Sequence, residues 1–523
     1  MVAVASSRLL GLWRESLLGS AFSASAEMDA FRAASRVTET LYILTAGGAL
    51  ASAFIPTFTT YLVRSARKEA WQVASAVVNL VFVTTLIASL VTLAIAPLLV
   101  STVLAPGYPA ETQRLTVSLL RWMLLSTVIF GVSGLLMGIL NANDRFIAPA
   151  LAPSMYNLGI IFGVLVLARW WGIHGVAVGV VIGALLHLVV QLPALRKLDW
   201  RYSPALGLHL AGVREVGRLM GPRVLGLAIT QLHFWVNTNL GSRIGVEGVV
   251  ATLSLGWALM LLPQGIFAQA TATVAFPSFS AQAARQDRRA LRAAIASVLS
   301  LVLFLTLPAT VGLIMLRRPL VEMLFMRGEF DVGAASMVSW ALAWYAVGLV
   351  AHSGLEIVTR AFYALYDTAT PVWVGGAAMA LNIAFSLLFS RLFARLGMTF
   401  FAGRYQPWMP LGGLALANSL ATGLETLTLT WLLRRRLDGL EGRRLWASTW
   451  RTLLGAGAMG VALLIFLKTA SGWNVWLLGI GGIGAGVAVF FAAAWLLRSP
   501  EAAVIVDALR RRAARSEHKV AKL

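Results

Sequence analysis

The sequence predicts an all-α polytopic membrane protein with about fourteen transmembrane helices. These are arranged as two six-helix lobes related by a pseudo-two-fold axis along the membrane normal, plus two C-terminal helices. Three observations carry the prediction. Of 523 residues, 59% are hydrophobic and 12% charged, about half the charge that a soluble domain needs to cover its surface. The apolar runs are continuous over the length of a bilayer-crossing helix and lack the alternation of a transmembrane β-strand. Landmark residues also recur at one spacing along the chain. A soluble multi-domain enzyme and a disordered chain are both excluded.

Apolar segments of spanning length fall at about 3–22, 36–63, 73–104, 114–141, 148–168, 172–194, 213–240, 248–280, 292–316, 336–365, 371–394, 411–433, 446–467 and 474–497. The first contains Arg8, Arg14 and Glu15, which the apolar core of a secretory signal peptide would not carry, so it is read as a membrane helix. In the second, Arg32, Arg36 and Glu39 precede the apolar run, and two readings stay open for them: the outer interface, or a functional role with the charges of the first helix. The formal net charge of +21 points to basic cytoplasmic loops and not to a nucleic-acid partner. With both termini inside, the inner loops gather Arg64, Arg67 and Lys68, then Arg285, Arg288, Arg289 and Arg292, then Arg434–Arg436. The outer loops hold far fewer cations, which supports fourteen spans and cytoplasmic termini. Residues 499–523 read as a basic cytoplasmic tail. Trp170, Trp171, Trp200, Trp446, Trp473 and Trp476 stand near span ends, as in an interfacial aromatic belt. The chain has no Cys, so thiolate catalysis and Cys-based metal sites are excluded.

The repeat relates residues 1–200 to 201–440. Ala53-Phe54-Ile55-Pro56-Thr57-Phe58 resembles Val274-Ala275-Phe276-Pro277-Ser278-Phe279, and Pro277 − Pro56 is 221. Gly107 and Gly328 differ by 221, Trp122 and Trp344 by 222, and Pro149 and Pro371 by 222. The offset covers six helices, an even number, so both halves have the same orientation. Residues 441–498 lie outside it as the last two helices.

A charge at bilayer depth is costly, so it faces a cavity or a partner. Arg8 and Arg14 are six residues apart, about 120° in azimuth on an α-helix, so they can border one wide cavity. Arg14 and Glu15, as neighbours, are expected to diverge. The functional reading of the arginines is an anion site, because guanidinium donors suit phosphate oxygens. The structural alternative is pairing of Arg8 or Arg14 with Asp29. Glu356 and Arg360, four apart, are expected to pair on one helix face and are kept with Asn237 and Asn382 as a candidate gate or ion site. His187, His233 and His352 are read as hydrogen-bonded packing residues. No nucleotide-binding, zinc-hydrolase or nucleophile-elbow motif is present, so the chain is read as a transporter and not an enzyme. Energy then comes from Na+, H+, the membrane potential or the gradient of the substrate itself.

At Gly138-Ile-Leu-Asn-Ala-Asn-Asp-Arg-Phe-Ile-Ala-Pro-Ala-Leu-Ala-Pro-Ser-Met-Tyr-Asn157 the chain resembles the MurJ/MviN family. Arg360-Ala-Phe-Tyr-Ala-Leu-Tyr-Asp-Thr-Ala-Thr-Pro371 resembles the matching signature of the second half. Ser7-Arg8-Leu-Leu-Gly11 with Arg14, Asp29-Ala-Phe31 and Leu262-Pro263 add to it. The resemblance implies a lipid II flippase of the bacterial inner membrane working by alternating access. It implies a central cationic cavity, and a groove for the polyprenyl tail at the last two helices. Membrane lipids are the other expected partners, and a monomer is expected. The resemblance assigns the diphosphate-binding cavity to Arg8, Arg14, Glu15 and Asp29. The family's second-helix Arg, expected near Tyr42–Ile43, is missing, and its eighth-helix Arg is Ala258 here. Arg223 is a candidate to compensate, and a position that is Asp in some members is Asn237. These departures keep a second reading open: a related exporter of another polyprenyl-diphosphate glycan or of amphipathic cations.

Overall fold

In a bilayer the backbone has no water to bond to, so long apolar segments close their hydrogen bonds internally as helices. A computed structural model describes residues 2–45, 48–63, 67–198, 200, 202–400 and 406–503, and among these there is no strand. The first helices are α1 (Val2–Phe22), α2 (Ala26–Thr45), α3 (Gly48–Val63), α4 (Arg67–Leu98), α5 (Ala110–Ala142) and α6 (Ile147–Phe162). Next come α7 (Ala168–Trp171), α8 (Ile173–Val189), α9 (Leu192–Arg196), α10 (Ala211–Ser242), α11 (Val249–Pro263) and α12 (Ala270–Ala284). The chain continues with α13 (Arg288–Phe325), α14 (Val332–Val347), α15 (Leu349–Ala364), α16 (Ala369–Phe400), α17 (Leu411–Arg436), α18 (Gly442–Thr469) and α19 (Val475–Leu496). Among the described residues, nine helical segments are long and apolar enough to cross a membrane, or ten with the bent pair α14–α15. The residues of the basic tail from 504 lie outside those described.

The second apolar segment begins earlier than the sequence suggests. Helix α2 starts at Ala26, so Arg32, Arg36 and Glu39 lie within a helix and not in a flanking loop. Asp29 and Glu27 in its first turn offset the charge at a helix N-terminus. The breaks inside other spans have local causes. Wide π-turns follow Pro97, at Leu99–Leu104, and Pro263, at Gln264–Gln269, because a proline disturbs the helical bonding around it. Helices α14 and α15 meet at a 44° bend. There Gly348 N bonds Tyr345 O, and Ser419 Oγ donates to the Trp344 carbonyl at 2.7 Å.

The repeat reappears in the element boundaries. Arg288 − Arg67 is 221 for the starts of α13 and α4. Ala270 − Gly48, Val332 − Ala110 and Ala369 − Ile147 are each 222. The loops before α6 and α16 each hold a left-handed residue, Asp144 and Tyr366, again 222 apart.

Two compact units form: residues 1–251 with 325–334, and residues 252–324 with 335–523. The expected boundary at 200/201 follows the repeat, whereas this one follows packing. Helix α10 packs on α2, α3 and α4, with Val213 and Val216 in a core that also holds Phe54, Phe58, Trp71, Leu135 and Ile139. Lipid tails supply no hydrophobic drive between helices, so close packing must hold them together. Gly159 on α6 and Gly163 in the π-helical turn that follows it face Gly179 and Gly183 on α8, so a Cβ on Gly179 would lie 2.7 Å from Gly163 Cα. In the second unit, α17 packs on α15 and α16. Phe304 and Leu316 of α13 share a core with Met459 and Leu463 of α18 and Phe490 of α19.

Candidate functional site

The candidate site is built in the first unit on α1, α2 and α6. At Gly11, α1 runs beside α6, and a Cβ there would sit in ordinary contact, 3.9 Å from the Asn157 amide. Arg14, one turn further, stays on that face. Its Nη1 donates to Asn157 Oδ1 at 3.0 Å and its Nη2 to Glu15 Oε1 at 2.6 Å. Asn157 is itself oriented, because its Nδ2 donates to the carbonyls of Ser7 (3.2 Å) and Pro153 (3.1 Å). From α2, Arg32 donates Nη1 to Glu15 Oε1 at 3.4 Å and Nη2 to Glu15 Oε2.

Arg14, Glu15 and Arg32 are therefore one cluster, with side chains 22%, 10% and 15% exposed. Arg14 is eight residues from the end of α1, about 12 Å of helix. Arg32 is six residues into α2, about 9 Å. One carboxylate faces two guanidiniums, so the cluster carries a net positive charge. The Nε atoms of both arginines are buried and lack a hydrogen-bond partner. This corrects the expectation that Arg14 and Glu15 diverge. The long Arg14 side chain folds across its neighbour, and Arg32 holds the other oxygen of the same carboxylate.

One turn along α2, Arg36 pairs with Glu39 at 2.9 Å, with its guanidinium 4.3 Å from the Phe234 ring centroid on α10. Thr40 follows, accepting from Trp235 Nε1 at 2.8 Å and donating to Gln231 Oε1 at 3.3 Å.

Asp29 stands outside the cluster. Its carboxylate accepts from the backbone N–H of Gly248 at 2.9 Å and of Ala251 at 2.7 Å, and it is 2% exposed. It thus caps the start of α11. Gly248 permits the approach with φ +78°, and a Cβ there would run into the Ala24 backbone. Arg8, on the first helix but six residues from Arg14, is exposed. The Arg223 side chain lies outside the described residues.

The remaining candidates are separate. Asn237 Nδ2 lies 3.1 Å from His233 Nε2, while its Oδ1 is buried without a partner. In the second unit, Glu356 and Arg360 pair at 3.6 Å as their spacing predicts, and Arg360 also donates to Thr273 Oγ1 at 3.2 Å. Asn382 is 2% exposed, and neither of its amide atoms has a partner. His187 bonds Ser133 at 2.6 Å and His352 bonds Asn418 at 3.0 Å, the packing role read from the sequence. Among the described residues no group of three or more His, Asp or Glu is arranged to hold a metal.

Sequence reasoning missed Asn157 as an orienting group and Arg32 as a cluster member. The signal for Asn157 was an amide one turn after Pro153 in an apolar span. The signal for Arg32 was its spacing of three from Asp29, which puts both on one helix.

A family model described as lipid II flippase MurJ matches residues 18–481. The chain is 30% identical over 405 residues to the lipid II flippase MurJ of Burkholderia cenocepacia, covering 76% of this chain and 78% of that one. It is 28% identical to the probable lipid II flippase MurJ of Rhizobium meliloti, covering 98% and 96%. Among solved structures it resembles a lipid II flippase MurJ in an inward closed conformation, with TM-score 0.78, 24% identity, and 95% and 98% coverage. It also resembles an inward-facing multidrug MATE family transporter, with TM-score 0.67, 16% identity, and 84% and 95% coverage. These two likenesses concern the fold.

Proposed function

The chain belongs to the MurJ family of lipid II flippases, and on that premise we propose that it carries lipid II across the cytoplasmic membrane. The lipid-linked peptidoglycan precursor moves from the inner to the outer leaflet by alternating access. The observation that supports this at the level of residues is the buried Arg14–Glu15–Arg32 cluster with its net positive charge. A diphosphate is the part of lipid II that seeks such donors. Guanidiniums offer it several N–H groups in a fixed plane, and at bilayer depth the attraction is weakly screened. Arg14 is the central ligand, held in place by Asn157. Arg8, exposed on the same helix, meets the headgroup as it enters.

The rest of the reading follows from this assignment. Fourteen spans with both termini cytoplasmic put the basic loops inside. The exposed apolar side chains of α18 and α19, among them Val461, Ile465, Ile480 and Val487, receive the polyprenyl tail while the headgroup crosses. The protein acts as a monomer and hydrolyses no nucleotide. A Na+ or H+ gradient, or the membrane potential, drives it. The oxygens open to a coupling cation are the buried Oδ1 atoms of Asn237 and Asn382. These neutral amides suit a weakly held monovalent ion better than a divalent one.

The test is complementation. Arg14→Ala should fail to support growth of cells depleted of their own flippase, while reaching the membrane at the wild-type level. Growth at the wild-type rate would remove Arg14 from the transport path.

A further inference from the structure

We propose that Arg32 is a diphosphate ligand in this chain and that Glu15 is the resident anion which the diphosphate displaces from Arg14 and Arg32. This rests on the flippase reading above and names the residues of that site.

Arg32, on α2, brings its terminal nitrogens together with those of Arg14, on α1, at one carboxylate. Two guanidiniums from two helices facing a single acceptor is the arrangement that a bridging anion needs.

Glu15 satisfies this arrangement incompletely. Its two oxygens take bonds from Arg14 Nη2 and from Arg32 Nη1 and Nη2, leaving both Nε–H groups buried and unpartnered. One carboxylate also leaves the cluster with an excess positive charge. A diphosphate diester carries a charge on each phosphate and has more acceptor oxygens than a carboxylate. With Glu15 displaced, its two charges match the two guanidiniums and its oxygens reach the unused donors, whereas a monophosphate has fewer oxygens to offer them. Without a bound diphosphate, Glu15 keeps two half-buried cations from facing each other unpaired, a state that is costly away from water. Arg14 remains oriented by Asn157 Oδ1 through the exchange, so Arg32 and Glu15 are the partners that rearrange.

The experiment uses the purified full-length protein in detergent micelles. Native mass spectrometry reads binding of undecaprenyl diphosphate and undecaprenyl monophosphate. Wild type should prefer the diphosphate. Arg32→Ala should lose that preference by about tenfold, the scale of a charge-assisted hydrogen-bond pair. Arg32→Lys, a point charge without the fork, should fall between them. Glu15→Gln should bind the diphosphate about tenfold more tightly, because the competing anion is gone. If Arg32→Ala does not fold, Arg32→Gln, which keeps side-chain length and an amide donor but not the charge, should show the same loss of preference. A folded Arg32 variant that keeps the wild-type preference, or a folded Glu15→Gln that binds the diphosphate more weakly, overturns the inference and leaves the flippase reading intact. A wild-type protein without preference between the two lipids overturns both.

Discussion

Asp29 shows how a buried charged residue can serve structure alone. Its carboxylate receives two backbone N–H groups at the start of α11 and is buried. Asp29→Ala should leave those donors unpaired and cost about 2 kcal/mol, read as a lower thermal midpoint of the purified protein. Asp29→Asn, which keeps an acceptor, should cost less, and equal midpoints for all three proteins would discount the cap. The sequence marked Asp29, Arg14 and Glu15 alike as charges that needed partners. It could not assign them, because partner choice depends on helix azimuth and on how far a long side chain reaches. Glu15 is joined to Arg14 across a single peptide bond, a pairing that helix spacing alone argues against. Asp29 meets backbone N–H groups more than two hundred residues away, and no local pattern records that.

Helices in this chain meet where side chains are small or where a polar atom repairs the backbone. Just past the end of α6, Gly163 meets Gly179 of α8 and brings the two backbones together, and an added methyl at Gly179 would sit 2.7 Å from Gly163 Cα. Gly179→Ala should therefore force the pair apart, lowering both the thermal midpoint and the amount of protein in the membrane. A midpoint unchanged from wild type would mean that the interface yields without cost. The turn from α15 to α16 is held by a carboxylate instead. Asp367 accepts from Thr370 N at 2.9 Å and Thr370 Oγ1 at 2.6 Å, and pairs with Arg436 of α17. Burial alone would raise this carboxyl, but the Thr370 bonds and Arg436 hold it below the usual carboxylate range. Its stabilisation is therefore full at neutral pH and is lost as pH falls through the lowered folded value. Asp367→Asn should lower the thermal midpoint at pH 7, and its gap to wild type should narrow below about pH 4. A gap constant with pH would mean that the charge is not what matters. Most helix positions were legible from apolar length. The early start of α2 was not, because five charged side chains interrupt its pattern.

For the whole chain, composition sufficed to fix the class, because so few charges cannot clothe a soluble protein of this length. The repeat was legible from a handful of prolines, glycines and one tryptophan, and the helix starts carry the same offsets. The extent of the first packed unit was not legible, since α10 sits with α2, α3 and α4 and repeat spacing is silent about packing partners. At one end of α10, Asn239 Nδ2 donates to the Val103 carbonyl at 2.6 Å. With no native Cys in the chain, Val103→Cys with Asn239→Cys can be joined cleanly by a short thiol crosslinker. The joined protein should still support growth if α10 moves with the first unit. Loss of growth only after crosslinking would show that the two helices must separate during transport. The repeat has a further consequence when its offset is applied to the charged cluster. Adding 221 carries Arg14 to Trp235, Glu15 to Val236 and Arg32 to Leu253. The second half carries apolar residues at the matching positions, so one repeated frame holds a charged cluster in one copy and does without it in the other.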